Sequence, residues 1–245
     1  MDTSSGTPQA YPSTPGLYHL TTQAEGQTVY YTLRIPADYD GRTALPVILC
    51  LHFGGQPSEF YGGRFLNLIP IPGLGSLAAI LVAPTTEQSG WATPTGEAAA
   101  LAALAEVEQH HRVDTRRRVV MGYSMGGRGT WHLAATFRPY FVAAIPIAGT
   151  PGEIALDTLR DLPLYVIHSE ADRRVPIEAT AKAVAHWKPW WSRQTVISSG
   201  SAVFRQRIGP NDTDLAVPCS WSASKTWNAI DPFGDALYLL EREVV

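Results

Sequence analysis

Only two cysteines, Cys50 and Cys219, occur in the 245 residues, too few and too far apart for a disulfide framework or a cysteine-based metal site. Cys50 lies inside an apolar run and reads as a small buried residue. Long hydrophobic runs are missing as well: "LPVILCL" and "LAAILVAP" fall well short of a bilayer span. Neither sign of charge dominates. Lys and Arg number 19 against 22 Asp and Glu, a formal net charge of −3, which favours neither nucleic acid nor an anionic membrane as partner. The opening stretch "MDTSSGTPQAYPSTPG" has no basic start and no apolar core of the kind a secretory signal needs. Together these absences lead to the expectation of a reduced, cytoplasmic protein. Histidine is the last scarcity, with 7 in all and none beyond His186.

What is present is an ordinary globular composition, 45% hydrophobic and 17% charged. The expectation is a flexible N-terminal tail over 1–15 and a single domain over 16–245. Strand-like runs cover 17–22 and 28–35, followed by the continuous apolar runs "LPVILCL" and "AAILVAPT". An Ala-rich helix is expected over 97–111, with Leu101, Leu104 and Ala105 on one face. "RRVVMGYS" then reads as strand and turn, "MGGRGTWHLAATF" as helix, and "FVAAIPIAG" and "PLYVIHSEAD" as strands. A helix follows from "VPIEATAKAVAHW", with Pro176 in its first turn and Ile177, Ala181 and Val184 on its buried face. "RQTVISS" is a last strand. Buried strands alternating with helices predict an α/β fold built on a mostly parallel, doubly wound sheet. There is no internal repeat, and 199–222 is the least patterned part of this domain.

The chemistry centres on Gly122-Tyr123-Ser124-Met125-Gly126. This is G-x-S-x-G, between a buried strand and a helix, the surroundings such a motif requires. A sharp turn there has no room for side chains at the two glycines, and it lifts the Ser124 hydroxyl above the sheet edge. The helix N-terminus offers the Met125 backbone N–H to a developing oxyanion. A second donor should come from the loop after "PVILCL", where "HFGG" offers the N–H of Phe53 or Gly54. Asp172, in the loop after "LPLYVIHSEA", is placed to orient a histidine as the acid of a triad. His110 and His111 are adjacent, so they cannot share one helix face as a metal pair would, and both read as solvated. No metal is expected.

The stretches "GYSMGGRGTW", "FVAAIPIAG", "LPLYVIHSEADRRVP" and "TWNAIDPFGDALYLL" together resemble the phospholipase/carboxylesterase and polyhydroxybutyrate-depolymerase-like branch of the α/β-hydrolase superfamily. The resemblance implies hydrolysis of carboxylic esters through an acyl-serine intermediate without a cofactor, with Ser124 as nucleophile and Asp172 as acid. It also implies a small-molecule ester as substrate, and Trp91 as a wall of the acyl pocket or else a core residue. It leaves the oligomeric state open. The short segment "TPGEIALDTLRDLP" leaves little material for a lid between strands.

One part of the pattern departs. The resemblance places the catalytic histidine shortly before a tryptophan, and if that is Trp227 the slot falls near Ser224 and Lys225. His186 should point to the outer face of its helix. Three explanations stand: an unexpected histidine, His168 or His52, serves as base; the chain is a non-catalytic ligand-binding relative; or the reading frame is damaged within 199–222. A serine peptidase on the same motif is a further reading. Trp187, Trp190 and Trp191 should cover a helix end.

Overall fold

The computed structural model describes residues 11–74, 76–87, 90–187 and 194–197. The expected slot near Ser224 and Lys225, Trp227, Trp190, Trp191 and the stretch 199–222 lie outside them, as do residues 1–10. Eight strands form one sheet: β1 (Gly16–Ala24), β2 (Gln27–Ile35), β3 (Leu45–Leu51), β4 (Ile80–Pro84), β5 (Val113–Tyr123), β6 (Ala143–Ile147), β7 (Leu164–Ile167) and β8 (Gln194–Ile197). Their order is β1-β2-β4-β3-β5-β6-β7-β8. β1 and β2 run antiparallel to their neighbours, whereas β4, β3 and β5 to β8 are mutually parallel. The β1–β2 hairpin closes over Glu25 and Gly26, both at positive φ (49° and 78°), as a two-residue turn matched to strand twist requires.

The helices are α1 (Tyr61–Leu68), α2 (Pro70–Leu74), α3 (Pro94–His110), α4 (Met125–Thr136) and α5 (Glu178–Trp187). Strand periodicity divides the core between the two sheet faces. Val47, Leu49, Leu51 and Val120 join the cluster that α3 and α4 supply with Leu104, Val107, Trp131 and Leu133. Ile48, Cys50, Val119 and Met121 face the other way, against Phe65 and Leu66 of α1 and Leu74 of α2. This is the doubly wound architecture expected, and the link between β6 and β7 holds only one short 3-10 turn, Leu156–Leu159, and no lid domain.

Local expectations differ in detail. α3 begins at Pro94, because Thr93 caps it by accepting the Gly96 N–H at 3.2 Å and proline suits the first helical position. Its buried face is Ala99, Ala100, Ala103, Leu104 and Val107; Leu101 and Ala105 are half-buried at its margins. α5 starts at Glu178, two residues beyond Pro176. Thr180 and Ala183 are its buried positions, while Ala181 is exposed. His111 is buried, against the expectation, because Tyr11 and Tyr39 close over it. Tyr11 belongs to the expected tail yet is docked, its hydroxyl 2.8 Å from that of Tyr31 and its ring stacked on His110 at 3.9 Å. No helix among the described residues is long and apolar enough to cross a membrane.

Candidate active site

The turn from β5 into α4 is built main chain against main chain. A side chain on Gly126 would run into the Leu51 carbonyl oxygen, and one on Gly122 into the Gly126 carbonyl and, at 2.9 Å, Leu51 Cβ. With both absent, α4 descends directly onto β3 and β5. Ser124 occupies the tip at φ 56° and ψ −112°, a region costly for any residue bearing a Cβ. Its own N–H donates to the Ile147 carbonyl of β6 (2.8 Å), and its carbonyl accepts the Arg128 N–H (3.0 Å). Met125 is the first helical residue, so its N–H is one of the amides an α-helix leaves without an intrahelical acceptor.

The loop after β3 adjoins this turn. A methyl group built on Gly54 would sit 3.8 Å from both Cβ and Sδ of Met125. The Phe53 ring meets Tyr61 and Tyr123 edge-on, with centroids 5.4 and 6.0 Å apart. Phe53 and Tyr123 are half-buried and join the loop after β3 to the end of β5, next to Ser124 in the chain. Reasoning from the sequence assigned Phe53 only a backbone role; the aromatic grouping joins positions from three separate stretches, and no local pattern marks it.

Trp91 is packed into the core, at 1% exposure. Its indole fills the space left by Gly129, and its Nε1–H donates to the His52 carbonyl at 2.9 Å. Burying the ring requires an acceptor for that N–H, and the acceptor ties Trp91 to the loop carrying Phe53 and Gly54.

Asp172 lies beyond the C-terminal end of β7, at the same sheet edge as Ser124. Tyr123 pairs with Ile147 and Ile147 with Ile167, so the two loops are two strand spacings, about 10 Å, apart. Asp172 Oδ1 accepts the N–H groups of Arg174 and Val175, both at 2.9 Å. That Asx-type contact shapes the loop and leaves Oδ2 for another donor. Asp172 Oδ2 is 3.8 Å from His168 Nε2, beyond hydrogen-bond range.

Neither suspected substitute base has a ring nitrogen to spare. His52 Nε2 accepts the Thr86 N–H at 3.1 Å, so Nδ1 carries the proton and donates to the Phe53 carbonyl at 2.8 Å. Burial lowers the His52 pKa to about 4, which keeps the ring neutral. His168, fully buried, places Nε2 2.8 Å from the Val175 carbonyl and Nδ1 2.9 Å from Thr180 Oγ1. His186 is exposed, as expected, although the buried face of α5 is not the one the period indicates, and its Nε2 lies 3.2 Å from Asp157 Oδ1. His132 contacts Glu97 at 2.6 Å, and His19 contacts Thr32 at 3.1 Å. Among the described residues no histidine is hydrogen-bonded to the Ser124 hydroxyl. No cluster of three or more His, Cys, Asp or Glu among them could hold a metal ion.

A strained serine between a central parallel strand and a helix, with a glycine loop beside it and an aspartate after a later strand, defines the α/β-hydrolase class. Solved structures share the fold. A thermostable esterase superposes with a TM-score of 0.63 at 24% identity, covering 75% of this chain and 55% of that one. A ferulic acid esterase gives 0.57 at 16% identity, covering 77% of this chain and 92% of that one. Within this class, the PET hydrolase-like (PETase) family model matches residues 79–209, and the chain belongs to that family. Feruloyl esterase C of Emericella nidulans is 33% identical over 141 residues, 55% of this chain and 51% of that protein. A protein named probable feruloyl esterase C from Aspergillus niger is 35% identical over 125 residues, 49% of this chain and 46% of that protein. The chain thus spans about half the length of these relatives.

Proposed function

We propose that the chain is a serine hydrolase of carboxylic esters, with an aromatic acyl group as its substrate class. The observation that carries this is Ser124 itself, held at positive φ beside the Met125 amide and the Phe53–Gly54 loop. In the reaction the Ser124 Oγ bonds to the ester carbon, its hydroxyl proton passes by way of water to the departing alkoxide, and the carbonyl electron pair moves onto oxygen. Backbone N–H groups stabilise that oxyanion. The intermediate collapses, the alcohol leaves with a proton, and water then releases the acid from the acyl-serine. The family match and the feruloyl esterase relatives support ester chemistry. The Phe53 and Tyr123 rings support an aromatic acyl group, as feruloyl is.

Asp172 is assigned as the acid, through Oδ2, which accepts no hydrogen bond from the described residues. The proton acceptor is neither His52 nor His168, whose ring nitrogens are both engaged. With no imidazole among the described residues hydrogen-bonded to Ser124, attack by its hydroxyl is slow, and the oxyanion donors stabilise the intermediate that this attack forms.

The test compares p-nitrophenyl acetate and methyl ferulate on the wild type and on Ser124→Ala. The expected result is loss of hydrolysis of both in the variant, with a higher kcat/KM for the ferulate ester after correction for leaving group. A rate unchanged by Ser124→Ala would sink the hydrolase reading and leave a ligand-binding protein on the same fold.

A further inference from the structure

Two consecutive peptides of the loop after β3 are pinned through His52. The His52 carbonyl accepts the Trp91 indole N–H, and it faces α4, where a Cβ on Gly126 would come within 2.8 Å of it. In a trans peptide the carbonyl and the following N–H point in opposite directions. The Phe53 N–H is therefore directed away from α4 and from the turn that carries Ser124. The next peptide is set by the imidazole. Because Thr86 N–H can only donate, Nε2 is the acceptor and Nδ1–H the donor, and the Phe53 carbonyl is drawn inward to that donor. The same rule turns the Gly54 N–H outward from the ring, on a residue that adjoins Met125. The ring has no further freedom: Tyr61 and Trp91 pack on it edge-on, both at 4.9 Å.

We propose that His52 is a positioning residue that fixes the Phe53–Gly54 peptide, so that the N–H of Gly54, and not that of Phe53, joins the Met125 N–H in receiving the oxyanion. This rests on the ester-hydrolase reading above. A buried imidazole held neutral suits the task, since protonation would turn Nε2 from acceptor into donor and set it against the Thr86 N–H.

Three measurements test it. The first is 15N NMR of the folded protein at pH 7, expected to show His52 as the neutral Nδ1–H tautomer; an Nε2–H tautomer or a cation would overturn the placement. The second is a backbone ester in place of one amide, which removes a single N–H and no side chain. At residue 54 it should lower kcat about 10²–10³-fold, the loss typical of one oxyanion donor, and at residue 53 by less than about tenfold. The reverse ranking would overturn the assignment. The third is a side-chain series. His52→Asn keeps a donor near the Nδ1 position and should retain more kcat than His52→Gln or His52→Ala, with KM within a few-fold throughout. Equal kcat for all three, or an effect confined to KM, contradicts a positioning role. If hydrolysis proves independent of Ser124, the hydrolase reading has failed, and the tautomer still decides whether His52 holds this peptide.

Discussion

At the scale of single residues, His52 shows how two local facts yield opposite expectations. Its place beside the glycine loop suggested a base, whereas its hydrogen bonds make it a neutral strut. The same burial makes it a stability determinant. Its folded pKa of about 4 lies below the ordinary histidine value of 6.5, so as pH falls through 6.5 the unfolded chain takes up a proton that the folded one refuses. Stability is then lost progressively from pH 6.5 to about 4, in total about 3 kcal/mol at 1.36 kcal/mol per unit. His111, whose pKa is lowered chiefly by burial, adds to the slope in the same direction. Urea unfolding at pH 7 and pH 4.5 should show this loss in the wild type and a clearly shallower one in His52→Asn.

Elements were easier to read than contacts. The strands came from apolar runs, and the reactive turn came from G-x-S-x-G between a strand and a helix, both local signals in 117–131. The buried face of α3 lies a fraction of a turn from the one the sequence predicts, because in an Ala-rich helix the period is weakly marked and the sheet decides. The seat of Trp91 depends on Gly129, 38 positions away, and the tie between Thr86 and His52 crosses 34; such pairings leave no trace in a local pattern. The meeting of α4 with β3 gives a clear expectation. Gly126→Ala inserts a methyl group against the Leu51 carbonyl, and overpacking of this kind costs about 3 kcal/mol. Thermal melting should register a much larger loss than for Ala135→Gly, a change on the half-buried side of the same helix.

For the molecule as a whole, the two-sided core means that Cys50 is shielded on its face of the sheet by α1 and α2. Its thiol is fully buried between β-strands and α1, and burial pushes its pKa up. In a Cys219→Ser background, modification of Cys50 by a thiol reagent should require opening of the sheet's helical cover. Its rate should rise with urea in step with the global transition followed by circular dichroism. Fast labelling in the absence of denaturant would mean that α1 and α2 detach on their own.

The turn around Ser124 has a consequence for how such a protein can be altered. Its tightest clearances, at Gly122 and Gly126, are set by main-chain carbonyl groups, with Leu51 Cβ the one side-chain atom beside them. The three atoms nearest the gap at Gly126 are all main chain, so trimming a neighbouring side chain does not enlarge it there. In a laboratory search for new substrate preference, the corner behaves as a fixed part and the surrounding aromatic positions, Phe53 and Tyr123, as the adjustable ones. A saturation library should therefore return active variants at 53 and 123 and almost none at 122 and 126.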